Sequence, residues 1–161
     1  MALGDMFLKI ESARQGAIKG EAQDQNHRDE IDVIDWSWGM EAKTALSGGG
    51  ASPKATLSEL NIVKHVDSAS TGLMSAMRGN ELISKAVLTV RKAGGVPHEY
   101  LKIRIEKGRI TSVDVDASNF PASGQLSERL SLAFQKISVE YIPQGADGNP
   151  RGSMLFDAEI S

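Results

Sequence analysis

The residues of this chain that best suit metal or acid–base chemistry are its histidines and its grouped carboxylates. His27, His65 and His98 are far apart in the sequence, and none has a partner at the four-residue spacing of a helical zinc-binding pair. Isolated histidines of this kind are typical of surfaces and strand ends. The residue types therefore predict no metal site and no bound cofactor.

Carboxylates recur in two groups. The first contains Asp29, Glu30, Asp32 and Asp35, and the second contains Asp114 and Asp116. Because side chains two residues apart on a strand share a face, Asp114 and Asp116 form a pair suited in principle to a cation or to glycoside hydrolysis. Alternating acids on a solvated strand face are far commoner, so an enzyme that uses this pair is kept only as an alternative.

Motifs for nucleophilic catalysis and phosphate binding are absent from the sequence. The chain has no Cys and no Gly-x-Ser-x-Gly segment, which excludes a thiol nucleophile and a hydrolase serine elbow. The run Gly48-Gly49-Gly50 lacks the Gly-Lys-Ser/Thr that completes a phosphate-binding loop. These observations favour a protein that is not an enzyme.

Length and composition bound the class of protein. The chain has 161 residues, which favours a single domain spanning residues 1–161. Its 18 Lys and Arg against 21 Asp and Glu give a net charge of -3, which does not suit binding to nucleic acid. No apolar run reaches the ~18 residues of a membrane helix. The first residues have the pattern of a strand, so we expect neither a cleaved signal peptide nor membrane insertion.

Alternating apolar and polar residues predict a mainly β fold. The runs 100–106 and 110–116 are joined by Lys107-Gly108 and predict a hairpin. The run 86–92 extends this hairpin to three consecutive antiparallel strands, and 154–160 supplies a last strand.

Two long apolar segments change parity halfway. Ile31 and Val33 occupy odd positions, whereas Ile34, Trp36 and Trp38 occupy even ones. The second segment changes from even to odd positions, with Leu130, Leu132 and Phe134 followed by Ile137, Val139 and Tyr141. Each change predicts a β-bulge, the first near Val33–Ile34, or a strand that is half-buried on both faces. Bulges bend sheets, and bent sheets close into barrels.

One short helix is predicted after residue 67. The segment Asp67–Thr71 offers N-cap residues, and Gly79-Asn80 supplies the stop. Leu73, Met74 and Met77 share one helical face, which we expect to pack against the sheets or at a contact between subunits.

The segment around the two tryptophans predicts a division between core and surface. Trp36 and Trp38 share the apolar face of their strand, so they are predicted to lie in the core rather than to stack on a ligand. Ser37 must then point the opposite way. The Gly/Ser-rich loop 44–54 that follows is too long for a simple turn, and such loops are often functional.

Several segments together resemble the haemolysin-coregulated protein (Hcp) family. In chain order they are Asp5-Met-Phe-Leu-Lys-Ile10, Gly20-Glu21, Glu30-Ile-Asp-Val33, Trp36-Ser-Trp-Gly-Met40, Lys64, Asp67-Ser-Ala-Ser70, Leu88-Thr-Val-Arg-Lys-Ala-Gly-Gly95, Glu99-Tyr-Leu101 and Val139-Glu-Tyr-Ile-Pro-Gln144. Residues 5–145 are covered in the expected order. The Trp-Ser-Trp-Gly and Arg-Lys-Ala-Gly-Gly segments together make the resemblance specific.

The resemblance implies a structural role. Proteins of this family fold as a β-barrel-like pair of antiparallel sheets with one short flanking α-helix, and six subunits close into a ring. The rings stack into the inner tube of the bacterial type VI secretion machine, inside a contractile sheath and beneath a spike protein. Effector proteins ride in the ring lumen. The tube is assembled in the cytoplasm and secreted without a cleaved signal peptide.

The same resemblance suggests roles for particular residues. In this family the strand that carries Ser37 lines the ring lumen, so Ser37 is expected to face effectors. The loop is expected to contact the next ring or subunit through Leu46, Ser47, Gly48, Gly49, Gly50, Ala51 and Ser52, with an ordinary surface loop as the alternative. A monomeric β-barrel that binds a small ligand in its interior is the alternative for the whole protein.

Overall fold

The computed structural model describes residues 5–42, 55–92, 98–146 and 150–160. Within these ranges the chain forms twelve strands and two helices. The predicted loop 44–54, with its contact residues 46–52, lies outside the described residues.

The strands and helices follow one another in this order. The first half contains β1 (Met6–Ser12), β2 (Gly16–Ala17), β3 (Ile31–Asp32), β4 (Asp35–Ser37), β5 (Met40–Glu41), β6 (Thr56–Leu57), β7 (Leu60–His65) and α1 (Ser70–Arg78). The second half contains β8 (Ile83–Lys92), β9 (His98–Asp116), α2 (Phe120–Ser123), β10 (Ser127–Ala133), β11 (Lys136–Tyr141) and β12 (Met154–Glu159). The sequence predicted α1 but not the single turn of α2.

The described strands form two antiparallel sheets that share β9. Sheet A contains β1, β2, β3, β8, the first part of β9, β11 and β12. Sheet B has the strand order β9–β10–β7–β4 and uses the second part of β9. Strands β5 and β6 pair as a separate ribbon. The predicted mainly β architecture of paired antiparallel sheets is confirmed.

The predicted hairpin at Lys107-Gly108 is wrong, because the chain does not reverse there. Strand β9 continues through these residues, and Lys107 has a φ of 54°, which bends the strand. A Cβ at Gly108 would lie 2.7 Å from the carbonyl oxygen of Ala133, so the glycine permits a close backbone approach rather than a turn. Before the bend β9 pairs with β8 and β11, and after it with β10.

The two predicted parity changes mark crossings between the sheets. Val33 donates its N–H to Met6 of β1 in sheet A, and Ile34 donates to Val63 of β7 in sheet B. The second change separates β10, in sheet B, from β11, in sheet A. A strand that moves from one sheet to the facing one must turn its opposite side inward, so the apolar positions switch parity at these crossings. The second segment also contains a register shift against β9, between Ser131 and Leu132, which lies before its crossing.

One continuous hydrophobic core lies between the sheets. The core side chains include Leu8 of β1, Leu88 of β8 and Ile103 of β9 from sheet A, facing Ile62 and Leu130 from sheet B. Leu8, Leu88 and Ile103 are register partners, so they form one apolar row across three strands. The interior is therefore filled by side chains, which does not favour an interior ligand.

Helix α1 covers the core with a narrower face than the sequence predicted. Leu73 and Ala76 are fully buried, whereas Met74 and Met77 are exposed. The predicted packing against the sheets is thus correct for Leu73 and wrong for the two methionines, for which the contact between subunits stays a prediction. The helix ends at Arg78 and is followed by Gly79, as predicted. Among the described residues, no helix is long and apolar enough to cross a membrane.

Candidate functional site on the outer face of sheet B

Ser37 lies on the side of sheet B that faces away from the core. Its neighbour Trp36 is the register partner of Ile62, which is buried in the core. Because successive strand residues alternate, Ser37 projects to the opposite face, where it is exposed. This is the orientation that the sequence predicted.

Ser37 is one end of a row of small polar side chains. The row crosses all four strands of sheet B in register and consists of Ser37, Asn61, Ser131 and Ser112. The Asn61 amide donates to Ser37 Oγ at 3.4 Å, and Ser131 Oγ donates to Asn61 Oδ1 at 2.7 Å. We call these four residues the polar row. These short uncharged side chains project little from the sheet, and their hydroxyl and amide groups are available for hydrogen bonds.

The candidate catalytic carboxylates Asp114 and Asp116 lie on this same face, and Asp116 is engaged by neighbours. Arg129 Nη1 is 2.8 Å from Asp116 Oδ2, and Asp114 is the register partner of Arg129. Ser118 donates to Asp116 through its hydroxyl and its backbone N–H, and these bonds, with Arg129, hold the pKa of Asp116 below its usual value. A carboxylate with a lowered pKa stays ionised at neutral pH, which disfavours a general-acid role.

The histidines occupy separate structural positions. His27 lies between carboxylates, with Nδ1 3.0 Å from Glu30 and Nε2 2.7 Å from Glu99. His98 is buried and its Nε2 bonds the carbonyl of Ile142 at 2.8 Å. Within the described ranges, no group of three His, Asp or Glu side chains is placed to hold a metal ion.

The two tryptophans are half-buried and pack against the core from the edge strand β4 and the residues just after it. Trp38 also approaches Phe156 of β12, with ring centroids 6.5 Å apart. This contact joins the β4 edge of sheet B to the β12 edge of sheet A. The sequence pattern placed both indoles on the inward face, but it did not show that they lie at a sheet edge.

A buried ion network supports sheet B from its inner side. Lys64 Nζ of β7 lies 2.8 Å from Glu128 of β10 and 2.9 Å from Asp67, and Lys64 and Glu128 have fully buried side chains. Ser70, the first residue of α1, donates to the same Glu128 oxygen and accepts from Asp67 N–H. The network joins two central strands of sheet B to the start of the helix.

Sequence reasoning identified Ser37 but missed Asn61, Ser131 and Ser112. They could not be found from one strand alone, because their alignment depends on the register of four strands that are not consecutive in the chain. The available signal was local alternation at two of the three: Asn61 and Ser131 each occupy a polar position between apolar ones, whereas Ser112 follows Thr111.

Fold and site together define a mainly β protein with a polar row on the outer, solvent-exposed face of sheet B. The family model for the type VI secretion system effector Hcp matches residues 7–141 of the chain. The chain therefore belongs to the Hcp family of the type VI secretion system.

Individual relatives agree with this assignment. The chain is 38% identical over 151 residues to protein Hcp1 of Pseudomonas aeruginosa, covering 92% of this chain and 89% of that protein. A crystal structure of a type VI secretion system effector from Yersinia pestis is 28% identical, with a TM-score of 0.77, and covers 97% of this chain and all of that one. Hcp1 from Escherichia coli, at 19% identity, shares the fold with a TM-score of 0.79 over 97% of this chain and 98% of its own.

Proposed function

We propose that this protein is a non-enzymatic subunit of a hexameric ring, and that the rings stack into the inner tube of a type VI secretion machine. Residues 1–161 act as one tube domain, and loop residues 46–52 contact a neighbouring ring or subunit. The lumen carries and protects effector proteins. The spike protein and the contractile sheath are the other partners, and the protein is assembled in the cytoplasm and then secreted without a cleaved signal peptide.

The observation that carries the ring proposal is that sheet B ends in unpaired strand edges. Among the described residues, β4 pairs only with β7, and residues 109–116 of β9 pair only with β10. Open edges favour association with another chain. Because the two edges lie at opposite ends of one sheet, copies that join through them meet head to tail, which is the contact that generates rings.

The polar row supports the assignment of the lumen. In a ring whose bore is lined by sheet B, these residues are the shortest side chains available to a passenger protein. Their hydroxyl and amide groups offer donors and acceptors to a polypeptide without a net charge. Cargo binding of this kind is expected to change little with ionic strength.

The mass of the purified protein tests the ring. A particle of about six times 17.3 kDa, or ring particles in electron micrographs, is expected. A strict monomer at all concentrations would exclude the ring and support the monomeric ligand-binding alternative.

Substitution of Ser37 tests the lumen. Ser37→Gln should leave ring assembly intact, because the side chain is exposed, and should lower the amount of effector that co-purifies, since the longer side chain occupies the bore. The matched control is Ser138→Gln, a strand serine in sheet A that is register partner to Arg104. Unchanged cargo retention by intact Ser37→Gln rings would remove Ser37 from the lumen.

A further inference from the structure

Two exposed apolar surfaces remain unexplained by the polar row. The first, which we call the helix groove, lies between α1 and β9, has a volume of about 410 Å³, and is lined by Met74, Met77, Arg78, Val113 and Val115. The second, the β12 patch, consists of Met154, Leu155, Phe156 and Ile160. Exposed apolar surfaces of this kind mark contacts with other proteins more often than plain solvent-facing surface.

The helix groove lies beside an unpaired strand edge. Ile83, the first residue of β8, pairs with Gly108, and beyond that point the described residues supply no second strand next to β9. Val113 and Val115 follow on this stretch, and α1 turns Met74 and Met77 toward them rather than into the core. The groove is therefore bounded by a helix on one side and by an open sheet edge on the other.

The β12 patch lies on the edge strand of sheet A. Within the described ranges, β12 pairs only with β11, so its outer edge is free. Met154 and Leu155 are 66% and 63% exposed, the highest values among the large apolar side chains that the structure describes. These two residues lie on opposite faces of the strand, and the strand therefore presents apolar side chains around its free edge.

The groove and the patch border opposite ends of sheet B. The groove borders β9, one end of sheet B, and the patch borders β4, the other end, through the contact between Trp38 and Phe156. Three strand spacings of about 4.8 Å separate β9 from β4. Six register pairs hold β12 on β11 within its own sheet A, so one molecule does not seat its own β12 in its own groove, whereas a head-to-tail neighbour can offer the free edge of its β12.

The charges of the two surfaces are complementary. Arg78 lines the groove and also the adjoining basin, where Arg14 is a second guanidinium and Glu81, which accepts hydrogen bonds from Ser12 and Gln15, is the single carboxylate of the described lining. Asp157 and Glu159 lie on the same face of β12 as Leu155. Opposite charges around an apolar contact fix its register and disfavour the reversed pairing of like surfaces.

We propose that the helix groove of each subunit binds β12 of the neighbouring copy, with Leu155 and Met154 against Met74 and Met77. This inference rests on the ring proposed above and assigns its subunit joint. The contact is heterologous, because the groove and β12 are different surfaces, and it repeats around a closed ring.

Thiol cross-linking tests the joint, and the chain suits this experiment because it contains no cysteine. Met77→Cys and Leu155→Cys chains, carrying different tags, are co-expressed and treated with a short thiol-specific cross-linker. Cross-linked dimers that carry both tags are expected. The double variant Met77→Cys/Leu155→Cys should give a ladder of covalent species up to the hexamer. Each single variant expressed alone should stay uncross-linked.

Further arms of the experiment separate the joint from the ring. Arg104→Cys, on an exposed residue of sheet A, replaces Leu155→Cys as the matched control and should give no dimer with Met77→Cys. Rings of the expected mass without a product from the Met77 and Leu155 pair would overturn the joint and leave the ring standing. Dimers from Met77→Cys alone would show a two-fold contact and overturn the head-to-tail arrangement. Absence of rings as well as product would remove the ring and the joint together.

A charge in the groove provides a second test that does not depend on cross-linking. Met77 is exposed in the subunit, so Met77→Glu should fold normally, as circular dichroism will show. Its mass at micromolar concentration should fall about six-fold, from ring to monomer. Arg104→Glu is the matched control and should remain a ring. A Met77→Glu protein that stays a ring at all dilutions would contradict the proposed joint.

Discussion

The outer faces of the two sheets are built from different kinds of side chain. Across sheet A, one row of register partners alternates in charge and consists of Glu11, Lys85, Glu106, Lys136 and Glu159. Lys85 lies 3.3 Å from Glu11, and Lys136 lies 3.8 Å from Glu106. Long side chains that pair across strands are typical of a face that meets mainly water, and only its margin at β12 belongs to the proposed joint.

The polar row of sheet B replaces these long charges with serines and one asparagine. Its hydrogen bonds join Ser131, Asn61 and Ser37 directly. The strongest charge interactions of sheet B are on the inner side instead, where Lys64 and Glu128 are fully buried. The difference shows that buried ion pairs on the inner side stabilise sheet B. Its outer face can therefore carry short side chains, which allow another protein to approach the sheet closely.

Loss of the inner anchor should have the largest effect. Lys64→Met leaves the carboxylates of Glu128 and Asp67 without their cation, and breaking a buried pair in this way typically costs about 3–5 kcal/mol. The free energy of unfolding, measured by denaturant titration, should fall by that amount. The unfolding should remain cooperative, because the apolar core is unchanged.

Two further variants sharpen this prediction. Lys102→Met removes an exposed lysine that is 3.6 Å from Glu99 and should change the stability by less than about 0.5 kcal/mol. The double variant Lys64→Met/Glu128→Leu replaces the pair by apolar side chains and should recover most of the loss. A Lys64→Met protein as stable as the Lys102→Met control would show that the network does not anchor sheet B.

The sequence supports the fold better than it supports the site. Alternation identified β1, β8 and β12, and the run Asp67–Thr71 with Gly79 identified α1, because these signals are local. The residue at the N-cap is Ala69, which makes no side-chain capping bond. Alternation also placed a turn at Lys107-Gly108. A glycine required by close contact with Ala133 and a glycine required by a reversal have the same sequence signature. The choice between them depends on which strand lies opposite.

The site depends on information that no single segment contains. The orientation of Ser37 followed from its two tryptophan neighbours, and the structure agrees with it. The polar row and the partner of Lys64 did not follow, since Glu128 is 64 residues away and meets Lys64 only through the register of β7 and β10. Parity changes were the most useful long-range signal, because they marked both crossings between the sheets.

Reversing one charge of the sheet A row should have a smaller effect that salt reduces. Lys136→Glu places an acid between Glu106 and Glu159 and should lower the free energy of unfolding by about 0.5–1 kcal/mol. The loss should shrink in molar salt, which screens exposed charges. Equal losses at low and high salt would contradict an electrostatic origin.

The matching change in sheet B is Ser131→Ala. It removes the hydroxyl that donates to Asn61 and should cost about 0.5 kcal/mol, at the low end for an exposed neutral hydrogen bond. Because no charge is involved, the loss should be the same at low and high salt. A salt-dependent loss at Ser131 would remove the contrast between the two faces.

The smallest effect is expected at Asp116, one of the charged residues beside the polar row on the outer face of sheet B. Hydrogen bonds from Ser118, with Arg129 nearby, lower the pKa of this carboxyl in the folded protein. A lowered folded-state pKa contributes stability that is present above the unfolded pKa of about 3.9 and is lost as the pH falls through the folded value. Asp116→Asn should therefore be slightly less stable than the parent at pH 7, and the free energies of unfolding of the two proteins should converge below pH ~4 in denaturant titrations.

Ser118→Ala should reproduce part of the neutral-pH loss of stability, because it removes the first of the bonds that lower the pKa of Asp116. A difference that persists unchanged into acid would mean that Asp116 acts through packing rather than through its charge.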